Sequence, residues 1–193
     1  MEENDVNNDY ELILIGGSAG SLGVIISILQ GFELKKIAIV IIIHRKESSE
    51  PMLAELLGPR TKYKVREAEE KEPIVPGCIY LAPANYHLLI EPDHTISLDA
   101  SEKINFSRPS IDVTFESAAI AYGKKLIGIL LSGGNNDGAE GLKKIKEVGG
   151  LTIVQDPISA DVAFMPEYAL ATLIPDLVIR KEDMARFLNK IGG

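Results

Sequence analysis

The chain has 193 residues, which suits one domain built around a single hydrophobic core. Hydrophobic residues make up 46% and charged residues 25%, the proportions of an ordinary globular protein. The 28 acidic and 20 basic residues give a net charge of −8. Because a phosphate backbone attracts a basic surface, we expect no nucleic-acid partner.

Cysteine content and apolar patterning point to a cytoplasmic protein. Cys78 is the single cysteine of the sequence, so it has no partner for an intramolecular disulfide or a zinc pair. The residues Met1–Asp5 are acidic where a signal peptide would be basic. The apolar run Ile37–Ile43 is too short to cross a bilayer, which takes about 20 residues. We therefore expect no membrane insertion, and no residue pattern implies a metal or a cofactor.

The first part of the chain alternates between predicted strands and helices. Residues 1–9 are expected to be a disordered lead-in. The continuously apolar, β-branched run Ile37–Ile43 is typical of a strand covered on both faces. The other predicted elements of this part are a strand at Glu11–Ile15, a helix at Leu22–Leu29 that Gly31 ends, and a short helix at Pro51–Leu57.

The middle of the chain predicts an antiparallel excursion. A turn at Pro76-Gly77 precedes a strand at Cys78–Ala82. Tyr86–Ile90 and Thr95–Leu98 then predict a hairpin joined by Glu91–His94, whereas Glu67–Glu72 is interpreted as a charged surface stretch.

The second half returns to alternating helices and strands. Pro109 predicts the first residue of a helix that Gly123 ends. The remaining predicted elements are strands at Lys125–Leu131, Leu151–Val154 and Leu177–Ile179, and helices at Asp137–Val148, Pro166–Leu173 and Glu182–Ile191. Successive βα units predict a three-layer α/β/α domain with a mostly parallel sheet and an antiparallel hairpin insertion.

Three polar residues follow predicted strands, where ligands bind in parallel α/β sheets. Ser18 follows the first strand, His44 the second, and Asp137 lies in the Gly/Asn loop after the strand that ends at Leu131. A serine hydroxyl needs a base to take its proton, and histidine is suited to that task. A carboxylate on the other ring nitrogen fixes the tautomer, so these residues predict a catalytic triad.

The surrounding glycines support a nucleophile at Ser18. The segment Gly16–Gly20 matches a G-x-S-x-G pattern, whose small residues permit a sharp turn between strand and helix. Free backbone N–H groups there could stabilise an oxyanion, and we name Ala19 and Gly134 as candidates. Each candidate also has a structural alternative: Ser18 or Asp137 could be a helix N-cap, and His44 a strand-end histidine with satisfied hydrogen bonds.

From about Leu12 to about Leu188 the chain resembles the catalytic domain of the chemotaxis protein-glutamate methylesterases, the CheB family. Ile15–Gly20 resembles the nucleophile segment of that family, and Ile43-His44 its catalytic histidine. The other matching segments are Pro76–Pro83 with His87 beyond, Arg108–Asp112 as R-P-S-x-D, Leu131–Gly141 as the aspartate loop, Gln155–Pro157, and Met165-Pro166.

The resemblance implies a Ser-His-Asp hydrolase that acts in chemotaxis signal transduction. Such an enzyme removes methyl groups from γ-glutamyl methyl esters on the cytoplasmic helices of chemoreceptors, and some members also deamidate glutamines. Residues 10–193 would form a single catalytic domain of this type. The receiver domain usual in the family has no counterpart in these residues, which implies either a fragment or a protein that is not controlled by phosphorylation in cis. A separate receiver or kinase partner would fit the second case.

Departures from the family pattern keep two alternatives open. Ala19 stands where the family has threonine, and Ser132–Asn135 replaces Thr-Gly-Met-Gly, which would fit a catalytically altered domain kept as an interaction module. The segment Gly17–Gly23 also approaches a dinucleotide-binding fingerprint. For a nicotinamide dinucleotide, Arg45 could accommodate a 2′-phosphate, but this interpretation leaves the Asp137 loop without a role.

Overall fold

A parallel sheet forms the centre of the protein, whose computed structural model describes residues 10–33, 36–45 and 50–191. The strands in these residues are β1 (Leu12–Gly17), β2 (Ala38–Ile43), β3 (Lys64–Glu67), β4 (Cys78–Leu81), β5 (His87–Ile90), β6 (Ile96–Asp99), β7 (Leu126–Leu130), β8 (Leu151–Gln155) and β9 (Leu177–Ile179). Seven of them form one parallel sheet in the order β3-β4-β2-β1-β7-β8-β9, and β5 pairs with β6 as an antiparallel hairpin.

Helices cover both faces of the sheet. They are α1 (Leu22–Gly31), α2 (Glu50–Leu57), α3 (Ile111–Tyr122), α4 (Ala139–Glu147), α5 (Phe164–Thr172) and α6 (Met184–Ile191). Strand β1 shows how the sheet separates two hydrophobic cores. Leu12 and Leu14 pack with α3, α4, α5 and the hairpin, while Ile13 and Ile15 pack with α1, α2 and α6. Alternating side chains of a strand point to opposite faces, so a strand buried on both sides is apolar throughout.

The predicted three-layer α/β/α fold with a mostly parallel sheet and a hairpin insertion is confirmed. One face of α3 is buried, with Ile111, Phe115, Ala118 and Tyr122 on it. No helix within the described ranges is long and apolar enough to cross a membrane. The predicted lead-in, residues 1–9, lies outside the described residues.

Several local predictions are wrong. Among the strands of the described residues only β5 and β6 pair antiparallel, because β4 joins the parallel sheet. The sequence predicts no strand at Lys64–Glu67, which is the edge strand β3; of the predicted surface stretch Glu67–Glu72, only Glu67 belongs to it. Pro109 precedes the helix, because Ser110 is the N-cap of α3 and accepts a hydrogen bond from the N–H of Val113. Helix α4 begins at Ala139, which leaves Asp137 in the preceding loop.

Candidate active site

Ser18 and His44 leave neighbouring strands at the same edge of the sheet. In the register of β1 and β2, Gly17 lies beside Ile43. The N–H of His44 also donates to the carbonyl of Gly17 over 3.3 Å. Because the carboxyl ends of parallel strands share one edge, the two side chains come from adjacent positions on the rim where such sheets bind ligands.

The hydroxyl of Ser18 makes no hydrogen bond to any residue in the described part of the chain, and the residue is partly exposed. The alternative that Ser18 is the N-cap of α1 is wrong, because that position belongs to Ser21. The hydroxyl of Ser21 donates to the carbonyl of Ser18 over 2.7 Å and so braces the turn. The Ser18 hydroxyl is therefore left available to a substrate.

His44 is joined to Asp137. Its Nε2 lies 2.7 Å from Oδ2 of Asp137, and the side chains are 14% and 0% exposed respectively. Burial acts to raise the pKa of Asp137, but the hydrogen bonds from His44 and from the backbone of Asp112 and Ile111 outweigh it and hold the pKa below its ordinary value. An ionised carboxylate only accepts hydrogen bonds, so Nε2 carries a proton, and in the neutral form of the imidazole the lone pair is on Nδ1.

Asp137 is also bound by the start of α3. Its Oδ1 accepts hydrogen bonds from the Ser110 hydroxyl over 2.8 Å and the Asp112 N–H over 3.0 Å, and its Oδ2 accepts from the Ile111 N–H over 2.7 Å. Unpaired N–H groups and the helix dipole favour a negative charge at a helix N-terminus. Asp137 is not the N-cap of the helix that follows it, because Gly138 holds that position. The carboxylate is thus fixed by a helix distant in sequence.

A second carboxyl group, that of Asp112, forms a matching hydrogen bond from α3 to α4. The carboxyl of Asp112, in the first turn of α3, accepts from the N–H of Gly141 in the first turn of α4 over 2.7 Å. Burial is the main cause that raises the pKa of Asp112 to about 7; the Gly141 hydrogen bond opposes it, and the charge of Asp137 adds to it. Two buried carboxyl groups therefore lie where these helices begin, each accepting from the backbone of the other helix.

Ser107 contacts the second ring nitrogen of His44. Its hydroxyl oxygen lies 3.4 Å from Nδ1 and accepts a hydrogen bond from the side-chain amide of Asn135 over 3.0 Å. Both ring nitrogens thus face polar groups. Sequence reasoning missed Ser107 and Asn135 because neither residue belongs to a recognisable triad pattern.

His87 supports the site indirectly. Its Nδ1 accepts a hydrogen bond from the N–H of Ser110 over 3.1 Å, and its Nε2 donates to the carbonyl of Glu102 over 2.9 Å. The residue is fully buried, and Ser110 in turn donates to Asp137. The sequence analysis assigns no role to His87, although its position in a hairpin strand and the family resemblance around Pro76–Pro83 both pointed to it.

The candidate oxyanion donors flank Ser18. Ala19 and Gly134 are exposed, and neither N–H has a hydrogen-bond partner among the described residues. A Cβ atom added to Gly133 would lie 3.1 Å from Cβ of Ser18 and would overlap the thioether of Met165. The glycine loop therefore lies directly against Ser18, and a side chain at position 133 would require the Met165 thioether to move.

Ser132 connects this loop to the Ser18 turn. Its carbonyl accepts from the N–H of Ser18 over 2.9 Å, and its hydroxyl donates to the carbonyl of Ala19 over 2.7 Å. The N–H of Ser132 itself donates to the side chain of Gln155 over 2.9 Å. These bonds fix the positions of the two segments that carry Ser18, Ala19 and Gly134.

Arg45 is engaged within the protein. It forms an ion pair with Glu67 and donates to the carbonyl of Ala82 over 3.2 Å, and its side chain is 7% exposed. This arrangement removes the main support for a dinucleotide site, in which Arg45 would have to meet a 2′-phosphate. Among the described residues, no group of three His, Cys, Asp or Glu side chains could hold a metal ion.

A parallel α/β sheet that carries a hydroxyl, an imidazole and a buried carboxylate on adjacent strand ends defines the class: a hydrolase-type domain with a Ser-His-Asp arrangement at its carboxyl rim. The model of the CheB methylesterase family matches residues 13–188, so the chain belongs to the CheB methylesterase family. The predicted family is confirmed, and with it the enzyme class, a carboxylic ester hydrolase.

Relatives and a solved structure agree with this membership. A relative from Leptospira interrogans, provisionally assigned as a protein-glutamate methylesterase/protein-glutamine glutaminase, is 47% identical over 95% of both chains. A protein-glutamate methylesterase/protein-glutamine glutaminase from Thiobacillus denitrificans is 36% identical over 87% of this chain, but only 48% of its own length is matched. The crystal structure of the Thermotoga maritima CheB methylesterase catalytic domain superposes with a TM-score of 0.89 at 30% identity, covering 94% of this chain and 98% of that one.

Proposed function

We propose that this protein removes methyl groups from γ-glutamyl methyl esters of chemoreceptors, with Ser18 as nucleophile, His44 as general base and Asp137 as the carboxylate that orients the imidazole. The observation that carries the proposal is the buried Asp137–His44 hydrogen bond beside an unbonded Ser18 hydroxyl, on adjacent strand ends of a CheB-type fold. The substrate would be a methylated helix of a receptor in the cytoplasm, the compartment that a free, buried Cys78 also fits.

Acylation begins with proton transfer from Ser18 to the lone pair on Nδ1 of His44. The Ser18 oxygen bonds to the γ-carbonyl carbon of the ester, and the carbonyl oxygen takes the negative charge. The free N–H groups of Ala19 and Gly134 would stabilise that oxyanion. Asp137, ionised and buried, stabilises the imidazolium that forms.

The intermediate then collapses and methanol leaves with the proton held by His44. A water molecule gives its proton to the same nitrogen and attacks the glutamyl ester on Ser18, which restores Ser18 and releases glutamate. A glutamine side chain would follow the same path with ammonia as the leaving group, which corresponds to the glutaminase activity in the names of the relatives. We also propose that a separate receiver or kinase partner controls the activity of this protein.

Methanol release from a methylated receptor tests the proposal. We expect Ser18→Ala to lower kcat on the order of 10⁶-fold, as loss of the nucleophile does in serine hydrolases, without loss of folding. Ser27→Ala, which removes an exposed hydroxyl from α1, is the matched control and should retain full activity.

The other outcomes separate the alternatives. Turnover that survives Ser18→Ala would exclude Ser18 as the nucleophile. A wild-type protein that binds methylated receptor but releases no methanol would support the interaction module.

A further inference from the structure

A tight turn beside His44 carries a phenylalanine in an unfavourable conformation. Ile104 and Ser107 exchange two backbone hydrogen bonds of 3.1 and 2.8 Å, and the residues between them, Asn105 and Phe106, have φ angles of 48° and 62°. Two-residue turns of this kind favour asparagine or glycine at both central positions. A bulky residue at positive φ is disfavoured because its Cβ crowds the backbone.

The side chain of Phe106 gains nothing from burial to offset that cost. It is 98% exposed, the largest exposure among the large hydrophobic side chains of the described residues. Exposed apolar surface is unfavourable in water, so a polar residue at this position would suit the isolated folded chain better energetically. A local conformation that the free protein does not favour is a reason to look for a binding role.

The turn makes polar contacts with His44 and with Asp112. Ser107 contacts Nδ1 of His44, and the side-chain amide of Asn105 donates to the carboxyl of Asp112 over 3.2 Å. Phe106 therefore projects from a fixed turn, one residue from a direct contact with the candidate base.

A second exposed aromatic group lies on the Gly133 side of Ser18. Phe164 is 52% exposed and stacks on Tyr168 with 6.2 Å between ring centroids. The next residue, Met165, donates its N–H to the carbonyl of Gly133 over 2.9 Å, which fixes this pair beside the glycine loop. Apolar side chains thus border the candidate centre both at the Ser107 turn and at the start of α5.

We infer that Phe106 is a docking residue that packs against apolar side chains of the receptor helix carrying the esterified glutamate. The inference rests on the proposed function. A γ-methyl ester is uncharged, so the modified side chain itself offers no charge for recognition, and apolar contacts to the helix that carries it can supply affinity. On an amphipathic helix, side chains three and four positions from the modified residue share its face, within reach of a phenylalanine next to His44.

The test compares one enzyme on two substrates: a methylated receptor and a small soluble peptide that contains one glutamate γ-methyl ester. Phe106→Asn places a residue favoured at positive φ in the turn, so the variant should fold at least as well as the wild type. We expect kcat/KM on the receptor to fall about tenfold, through KM, as for an apolar hot-spot residue. Turnover of the small ester should stay within about twofold of wild type.

Two further variants complete the design. Phe106→Tyr keeps the aromatic ring and should retain receptor turnover. Ile120→Ser removes another side chain of high exposure, 79%, from α3 and should change neither substrate.

Unchanged receptor kinetics in Phe106→Asn would overturn the docking role while leaving the proposed function in place. An equal loss on both substrates would also overturn it, because Phe106 would then act on the catalytic geometry. A wild-type protein inactive on both esters would overturn the proposed function and this inference together.

Discussion

The candidate site has two halves that differ in their hydrogen bonding: Asp137 with His44 forms one half, and Ser18 with the N–H donors beside it forms the other. Asp137 is fully buried and accepts four hydrogen bonds, from His44 and from the first residues of α3. Ser18 is partly exposed, and its hydroxyl, like the N–H of Ala19 beside it, has no hydrogen-bond partner among the described residues. The orienting half is thus completed by the fold, while the reacting half keeps its donors available for a substrate.

The difference between the two halves follows from where charge develops during the reaction. Fixed dipoles around a carboxylate need not reorganise when charge develops on the imidazole, which is the basis of electrostatic preorganisation. Groups that must bond to the substrate only in the transition state gain most when no internal partner competes for them. We therefore expect substitutions in the orienting half to change stability and rate together, and substitutions in the reacting half to change mainly the rate.

Among the substitutions that compare the two halves beyond the nucleophile itself, Asp137→Asn should have the largest effect. The amide cannot accept all the bonds that the carboxylate accepts and favours the wrong tautomer of His44, so we expect kcat to fall by up to about 10⁴-fold. The start of α3 loses its anion, which should lower the free energy of unfolding by about 1 kcal/mol. Receptor demethylation and urea unfolding near pH 7 measure the two effects.

The pH dependence of stability gives an independent check. The pKa of Asp137 in the folded state is lowered from the ordinary value of 3.8. Its contribution to stability is therefore present above that pH and is lost as the pH falls through the lower folded-state value. Asp176→Asn is the control, because the pKa of Asp176 is also lowered while its partners, Lys146 and Thr152, lie away from the site. Normal turnover with reduced stability in Asp137→Asn would restrict Asp137 to a structural role.

The order of strands and glycines made much of the site predictable. One rule, that ligands meet the carboxyl ends of parallel strands, selected Ser18, His44 and Asp137 from the sequence. The bonds that fix Asp137 could not be predicted in this way, because Ser110 and Ile111 are more than 20 residues away and meet it only through the packing of α3 against α4.

Sequence patterns did not predict the local structure correctly where contacts between distant segments determine it. The sequence predicts no strand at Lys64–Glu67, which has the composition of a surface loop; it forms an edge strand because backbone pairing with β4 does not depend on apolar side chains. Pro109 suits the first turn of a helix, but Ser110 takes the N-cap because its hydroxyl can accept from Val113 and donate to Asp137 at once.

The reacting half is tested by Gly133→Ala. The added methyl group would overlap the Met165 thioether and lie 3.1 Å from Cβ of Ser18, so the buried thioether must shift and we expect the loop and the nucleophile to shift with it. A displacement of about 1 Å costs on the order of 10²-fold in rate, and overpacking about 1–3 kcal/mol in stability. Steady-state kinetics on the small ester measure the first effect, and thermal unfolding the second.

Gly23→Ala is the matched control for this substitution. It adds the same methyl group in α1, where no atom lies within 4 Å, and should raise stability by about 0.5–1 kcal/mol with unchanged turnover. If Gly133→Ala turned over the small ester at the wild-type rate, the glycine loop would have no part in placing Ser18.

The smallest effect on activity is expected for Asp112→Asn, which tests whether the second buried carboxyl stabilises the orienting half. The folded-state pKa is about 7 against an ordinary 3.8, so the folded protein binds more protons than the unfolded chain between these values. The free energy of unfolding must therefore fall as the pH rises through this window, and the ionised carboxyl is unfavourable above it. Asparagine keeps an oxygen for the Gly141 N–H without the charge.

We expect Asp112→Asn to be more stable than wild type by on the order of 2 kcal/mol near pH 8.5, with the advantage shrinking toward pH 5 and turnover reduced less than tenfold. Urea unfolding at the two pH values measures the difference. Glu140→Gln removes one charge from the exposed first turn of α4 and should show no such pH window. If Asp112→Asn were instead less stable at both pH values, the ionised carboxylate would stabilise α4 much as Asp137 stabilises α3, and both carboxyl groups would act as anionic caps of facing helices.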